Sequence, residues 1–228
     1  MKGKTIRLAV LLGAAAVLAA VLLVRHLGPS EDRTIRNAQS GDAQDRVRAI
    51  RDLEDAGSPA AAETLARLAA DPDTRVAVEA VSAVGRLRRK DLLPVMENAS
   101  SDARPEVREA TLVALGRMGD PKSAHLLRNR LEQDPSPDVQ AAAADALGRV
   151  RSVVSMETLL AQLDSPSERV RRSAAAAIVR IWQIDHGFNA GDPPDKRRAL
   201  IEGMRHHWEV YKQSDAYRYL KQKTEKGP

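Results

Sequence analysis

Apolar residues follow two rhythms along this chain. From Leu8 to Val24 the sequence reads LAVLLGAAAVLAAVLLV, seventeen positions without a charge. From residue 41 onward, short apolar stripes alternate with charged turns that carry Asp, Pro and Gly. The stretch VREATLVALGRMGDPKSAHLL, Val107 to Leu127, shows the second rhythm most clearly. Val107, Thr111, Leu115 and Met118 stand at i, i+4, i+8 and i+11, which places them on one face of a helix. After Gly119-Asp120-Pro121 a second stripe follows in Leu126, Leu127 and Leu131. The pattern predicts a helix, a tight turn and a second helix over residues 121–133.

The same unit recurs. Ala49/Leu53, Ala80/Val84, Thr111/Leu115, Ala143/Leu147 and Ala174/Ile178 align at spacings of 31, 31, 32 and 31 residues. Gly85, Gly116 and Gly148 follow the pair in the central copies, and Arg86, Arg117, Arg149 and Arg180 follow one place later. Asp71-Pro72, Asp102, Asp134-Pro135 and Ser165-Pro166 occupy the turn upstream. Asp and Ser offer side-chain oxygens to the unpaired N–H groups of a helix start, and Pro suits a first turn. Gly116 or Gly119 is expected to close the helix by adopting a left-handed or tight backbone. A two-helix unit cannot bury both of its apolar stripes alone, so a fixed period of this length implies copies stacked on one another.

The motif Asp-(Pro)-x-x-x-Val-Arg-x-x-Ala-x-x-Ala-Leu-Gly, followed by a helix with paired leucines, resembles HEAT repeats. The likeness is strongest to the short bacterial type also found in phycobilin-lyase-like proteins. It runs well from about Gly41 to Asp164 and continues to Ile181 through Val170, Arg171, Ala174, Ala177 and Ile178. The resemblance implies an all-α, right-handed solenoid of about five helix pairs. It also implies a ladder between repeats formed by the turn Asp and an Arg six residues later. Asp102 with Arg108 fits that ladder, whereas Asp71 meets Ala77 and Asp134 meets Gln140. Five segments are expected. They are an N-terminal signal anchor or transmembrane helix at 1–27, a linker and leading helix at 28–40, the solenoid at 41–182, a loop and capping helix at 183–213, and a polar tail at 214–228. The cap is expected to use Met204, Trp208 and Tyr211, since an open solenoid must cover its last apolar face.

The charge balance supports the anchor. The chain carries +5, but Lys2, Lys4, Arg7 and Arg25 account for +4 of it, leaving the remainder near neutral. Basic flanks on an apolar run of about 25 Å predict a single-pass inner-membrane protein with a cytoplasmic N-terminus and an extracytoplasmic repeat domain. The alternative is secretion after signal cleavage, but the run ends at Val24-Arg25-His26 without a small-x-small site. The same distribution argues against a nucleic-acid partner, which requires its positive excess on the folded domain.

No catalytic constellation is legible. There is no cysteine, no nucleophile elbow and no phosphate-binding glycine pattern. His26, His125, His186, His206 and His207 lack metal-ligand spacing, and adjacent His206 and His207 project about 100° apart on a helix. There is no His-Glu pair of the kind used by the iron-binding HEAT-repeat hydroxylases. These readings predict a membrane-anchored scaffold with no catalysis, no cofactor, no metal and no small-molecule substrate, binding a partner protein through its solenoid. Its expected surface is Arg51, Val78, Ser82, Glu109, Val113, Asp145 and Arg172, opposite the apolar stripes. A second candidate is the basic ridge Arg86, Arg117, Arg149 and Arg180, whose residues also suit helix C-termini as dipole partners. The alternative is a chromophore (bilin) lyase-like enzyme or enzyme subunit. Nucleic-acid binding ranks behind both.

Overall fold

The computed structural model describes residues 31–226, which are helical with no strand among them. A leading helix α1 covers 31–37. Four helix pairs follow: α2 (Ala43–Ala56) with α3 (Pro59–Leu68), α4 (Thr74–Leu87) with α5 (Leu93–Ala99), α6 (Pro105–Met118) with α7 (Ala124–Gln133), and α8 (Pro137–Arg149) with α9 (Met156–Gln162). The fifth copy contributes α10 (Glu168–Trp182), then α11 (Pro194–Lys212) and α12 (Asp215–Lys226). This is an all-helical, repeat-built, solenoid-like fold. The segment expected to be a polar tail is helical as α12.

The chain divides into two compact units, one up to Thr64 and one from Leu65 onward. In the first, α2 is opened by the Asp42 carboxylate, which accepts from Gln44 N at 2.7 Å. It closes at Gly57 in a left-handed conformation. The Ser58 hydroxyl that starts α3 bonds the Glu31 carboxylate of α1.

In the second unit α4 packs on α6, α6 on α8 and α8 on α10. Each of α5, α7 and α9 packs against the first helix of the repeat that follows it in α6, α8 and α10. Of the predicted stripes, Val107, Thr111 and Leu115 lie in the core with Leu127 and Leu131, while Met118 and Leu126 are half-buried. Burying each such side chain is worth about 1.5–3 kcal/mol. A Thr is tolerated at the centre because its hydroxyl donates to Val107 O at 2.7 Å.

The repeated turn residues act one step earlier than their sequence suggests. Asp71, Asp102, Asp134 and Ser165 each accept from the backbone N–H two residues on, at 2.9, 2.8, 3.0 and 3.3 Å. They fold the turn, and the residue after it stands at the helix cap. Asp73 and Ser167 cap α4 and α10 with their own side chains.

The glycines divide into two roles. Gly119 closes α6 in the left-handed region at φ 69°. Gly116, like Gly85 and Gly148, lies inside its helix, where neighbouring backbones come close. A Cβ on Gly85 would stand 2.5 Å from Ala114 Cβ, one on Gly116 3.0 Å from Ala146 Cα, and one on Gly148 2.7 Å from Ala177 Cα. Only glycine opposite alanine permits this approach.

The segment after α10 is bonded back to the repeats. Arg171 donates Nε and Nη2 to Ala190 O of the 183–193 loop at 3.0 and 2.8 Å. α11 buries Ile201, Met204 and Trp208 and packs on α9. There Lys212 Nζ and Trp208 Nε1 both reach the Glu157 carboxylate, at 2.8 and 3.4 Å.

The expected single-pass membrane placement is not supported. Among the described residues no helix is long and apolar enough to cross a membrane. The apolar run at 8–24, on which the signal anchor rested, lies outside the described residues.

Candidate functional site

The C-terminal ends of the first helices meet in an open groove of about 640 Å³ in the second unit. Five guanidiniums line it, from Arg88, Arg117, Arg149, Arg151 and Arg180, with Gln183 beside them and no carboxylate among the described lining residues. Gly116 and Gly148 form part of its floor. The stem of Arg149 crosses Gly116, because a Cβ there would come within 3.1 Å of Arg149 Cδ. Arg180 runs past Gly148 in the same way, at 3.5 Å. Gly116 and Gly148 thus each open a channel for the arginine of the next repeat.

The five arginines differ in their partners. Arg149 Nε meets Asp145 Oδ2 at 3.3 Å, and Arg180 Nη1 takes the other oxygen of the same carboxylate. Partial burial would raise the Asp145 pKa, but the bond and charge of Arg180 outweigh it and hold the carboxyl below its ordinary value. Arg88, Arg117 and Arg151 are exposed and make no side-chain hydrogen bond or ion pair among the described residues. Arg88 and Arg151 also hold positive φ, 51° and 52°, as does Gln183 at 59°. At the corresponding helix end of α6 the chain uses Gly119 instead.

Of the ridge expected from sequence, Arg117, Arg149 and Arg180 come together here. Arg86 is exposed on α4 and does not line the groove. Arg88 and Arg151 escape a reading by period because glycine holds the matching place in the third copy. Of the second expected surface, three residues are engaged in ion pairs. Arg51 is exposed on α2, in the first unit. Val78, Ser82, Glu109 and Val113 are half-buried on α4 and α6. Glu109 pairs with Arg169 at 2.9 Å, Asp145 belongs to the groove arginines, and Arg172 pairs with Glu168 at 2.7 Å.

The expected Asp102–Arg108 ladder is built differently. Arg108 gives Nη1 to the carbonyls of Asp102 and Ala103, at 2.9 and 3.0 Å. Its Nε and Nη2 form a two-point bond with the Asp134 carboxylate of the next repeat, at 2.7 and 2.9 Å. The Asp102 carboxylate pairs instead with Arg104, which spans back to Asp71 O and Pro72 O at 3.0 and 3.1 Å. Gln140 continues the series through Asp134 O at 2.8 Å.

Two of the histidines do converge. His186 Nε2 lies 3.2 Å from His207 Nδ1, and Trp182 stacks on His207 with ring centroids 4.9 Å apart. His206 is exposed, and the Asp185 carboxylate accepts from Gly187 N. Among the described residues no group of three His, Cys, Asp or Glu side chains could hold a metal ion.

The family model described as HEAT repeats matches at residues 31–110, 66–132, 92–180 and 126–221. The chain is a HEAT-repeat protein. Two curated relatives of this HEAT-repeat protein are deoxyhypusine hydroxylase of Arabidopsis thaliana, 26% identical over 121 residues, and deoxyhypusine hydroxylase-B of Oryza sativa subsp. japonica, 31% identical over 121 residues. Each match covers 52% of this chain, but only 38% and 39% of the respective relative. Among solved structures, a chain of the phycocyanin lyase complex from Nostoc sp. is 22% identical with a TM-score of 0.58, covering 75% of this chain and 74% of that one. An engineered protein is 19% identical with a TM-score of 0.51, covering 82% and 91%. Both structures share the fold. The expectation of a scaffold without catalysis is corrected by these findings. The curated relatives are enzymes, and the repeat motifs on which the scaffold reading rested are common to catalytic and non-catalytic solenoids alike.

Proposed function

We propose that this HEAT-repeat protein is an enzyme or enzyme subunit of the chromophore-lyase type, and that its arginine groove holds the acidic side chains of an open-chain tetrapyrrole. The observation that carries this reading is the gathering of five guanidiniums, with no carboxylate among the described lining residues, in one groove of about 640 Å³. A groove of that size suits a small molecule, and planar guanidinium forks match carboxylates at two points. The fold shared with a chain of a phycocyanin lyase complex supports it. So does the catalytic role named for the curated relatives.

The groove supplies binding and orientation. Arg88, Arg117 and Arg151 are free to meet a carboxylate, while the open side leaves the rest of an extended ligand accessible to a second protein. The chain contains no cysteine, so attachment of a chromophore through a thiol would use a thiol of another protein. That requirement fits a subunit that holds a substrate for a partner.

Adding biliverdin to the purified full chain tests the proposal. The expected result is a saturable change in the visible absorption band, reduced in an Arg117→Gln/Arg151→Gln double variant of unchanged helicity. An unaltered spectrum at all biliverdin concentrations overturns the reading.

A further inference from the structure

The Asp145 carboxylate sits between two of the five groove arginines and bonds both. Asp145 does not itself line the groove, but its carboxylate holds two charges that an external oxyanion would otherwise meet. The other three guanidiniums have no such internal partner among the described residues. Two of them, Arg88 and Arg151, stand in a backbone conformation that glycine adopts without steric cost, as Gly119 does at the corresponding helix end. A charged side chain kept in such a backbone points to a role for the side chain rather than for the turn.

We infer that the groove is a divided site for multivalent oxyanions. Arg88, Arg117 and Arg151 form an open half. Arg149 and Arg180 form a second half that Asp145 occupies as an internal competitor. The ligand is a small molecule bearing two or more carboxylate or phosphate groups. One group suffices for the open half, and a second can displace Asp145 from the closed half. Monovalent anions lack that second contact and bind weakly. The inference shares its groove with the lyase reading but rests on the guanidiniums and Asp145 alone.

Calorimetric titration of the full chain at low ionic strength tests it, with citrate and pyrophosphate as multivalent probes of the two chemistries and acetate as the monovalent reference. Either multivalent probe is expected to bind at least about tenfold more tightly than acetate, as one additional charge-assisted contact allows. Arg117→Gln/Arg151→Gln is expected to weaken binding by about tenfold or more. Asp145→Asn is expected to tighten it several-fold by releasing Arg149 and Arg180. Arg88→Gln repeats the open-half test at an independent exposed position, and Arg198→Gln on α11 serves as an off-groove control. A preference for citrate over pyrophosphate assigns the site to carboxylates, and the reverse assigns it to phosphates. Three results overturn the inference: no binding of either multivalent probe, equal loss in the Arg198→Gln control, or duplex DNA binding through these arginines without binding of the small probes. Citrate binding without a biliverdin response removes the lyase reading and leaves the divided site standing. Biliverdin binding that ignores the open-half substitutions removes the groove from the lyase reading and leaves the divided site to be decided by the citrate and pyrophosphate titrations.

Discussion

Arg108 illustrates what a single residue contributes here. Its guanidinium joins two repeats through the Asp134 carboxylate, whose side chain is fully buried. Burial alone would raise the Asp134 pKa, but the Arg108 bond and the Ser136 N–H overcome this and hold the carboxyl below its ordinary value. Replacing Arg108 by Gln leaves a buried carboxylate without its cation, and is expected to cost about 3 kcal/mol in urea unfolding at neutral pH. The pH dependence has a definite sign. A carboxyl depressed in the folded state stabilises above its unfolded pKa of about 3.9, and that stability disappears as pH falls through the folded value. The difference between wild type and Arg108→Gln should therefore shrink below about pH 4 as Asp134 takes up its proton. A constant difference down to acid would rule out this assignment. The pair also marks a limit of reading by period. Asp102 lies at the family spacing before Arg108, yet the carboxylate that meets the guanidinium is Asp134, brought near only when the next repeat stacks. Spacing within one copy cannot display a contact made between copies.

At the level of elements, the first helices α4, α6, α8 and α10 were legible because burial imposes the same apolar stripe on each copy. Their separation was not, since Gly116 and Gly119 look alike in sequence and differ only in whether a neighbouring backbone is close. The same ambiguity concealed two of the five groove arginines. Arg117, Arg149 and Arg180 repeat at a fixed place and could be grouped by period. Arg88 and Arg151 share their place with a glycine, and only the fold of the helix end turns them into the groove. The glycine roles give opposite signs for one substitution. Gly148→Ala drives a methyl against the Ala177 backbone and is expected to cost about 1–3 kcal/mol. Gly203→Ala on α11 meets nothing within 4 Å and is expected to gain about 0.5–1 kcal/mol. Urea midpoints for the two variants should move to opposite sides of wild type; movement in one direction would show that one of the two glycines is not placed as described.

The second unit couples its parts mainly through neighbours, as stacked repeats do. Both tryptophans of the chain, Trp182 and Trp208, belong to its C-terminal end. Tryptophan fluorescence therefore reports on the cap, whereas far-ultraviolet circular dichroism reports on all helices. If unravelling begins at the end of the stack, the fluorescence midpoint in urea should precede the dichroism midpoint. Coincident midpoints would show that cap and repeats melt as one cooperative body.

The contacts of Gly85 with Ala114, Gly116 with Ala146 and Gly148 with Ala177 have a consequence for selectivity as well as stability. They hold the helix backbones at a fixed separation, and the groove arginines project from those same helix ends. The interval between positive charges is thus set by residues that carry no charge. The groove works as a ruler whose graduations are cut into the backbone. A bulkier residue at Gly116 or Gly148 would spread the helices and shift the arginine stems that cross them, changing the length of anion the groove measures without removing a charge.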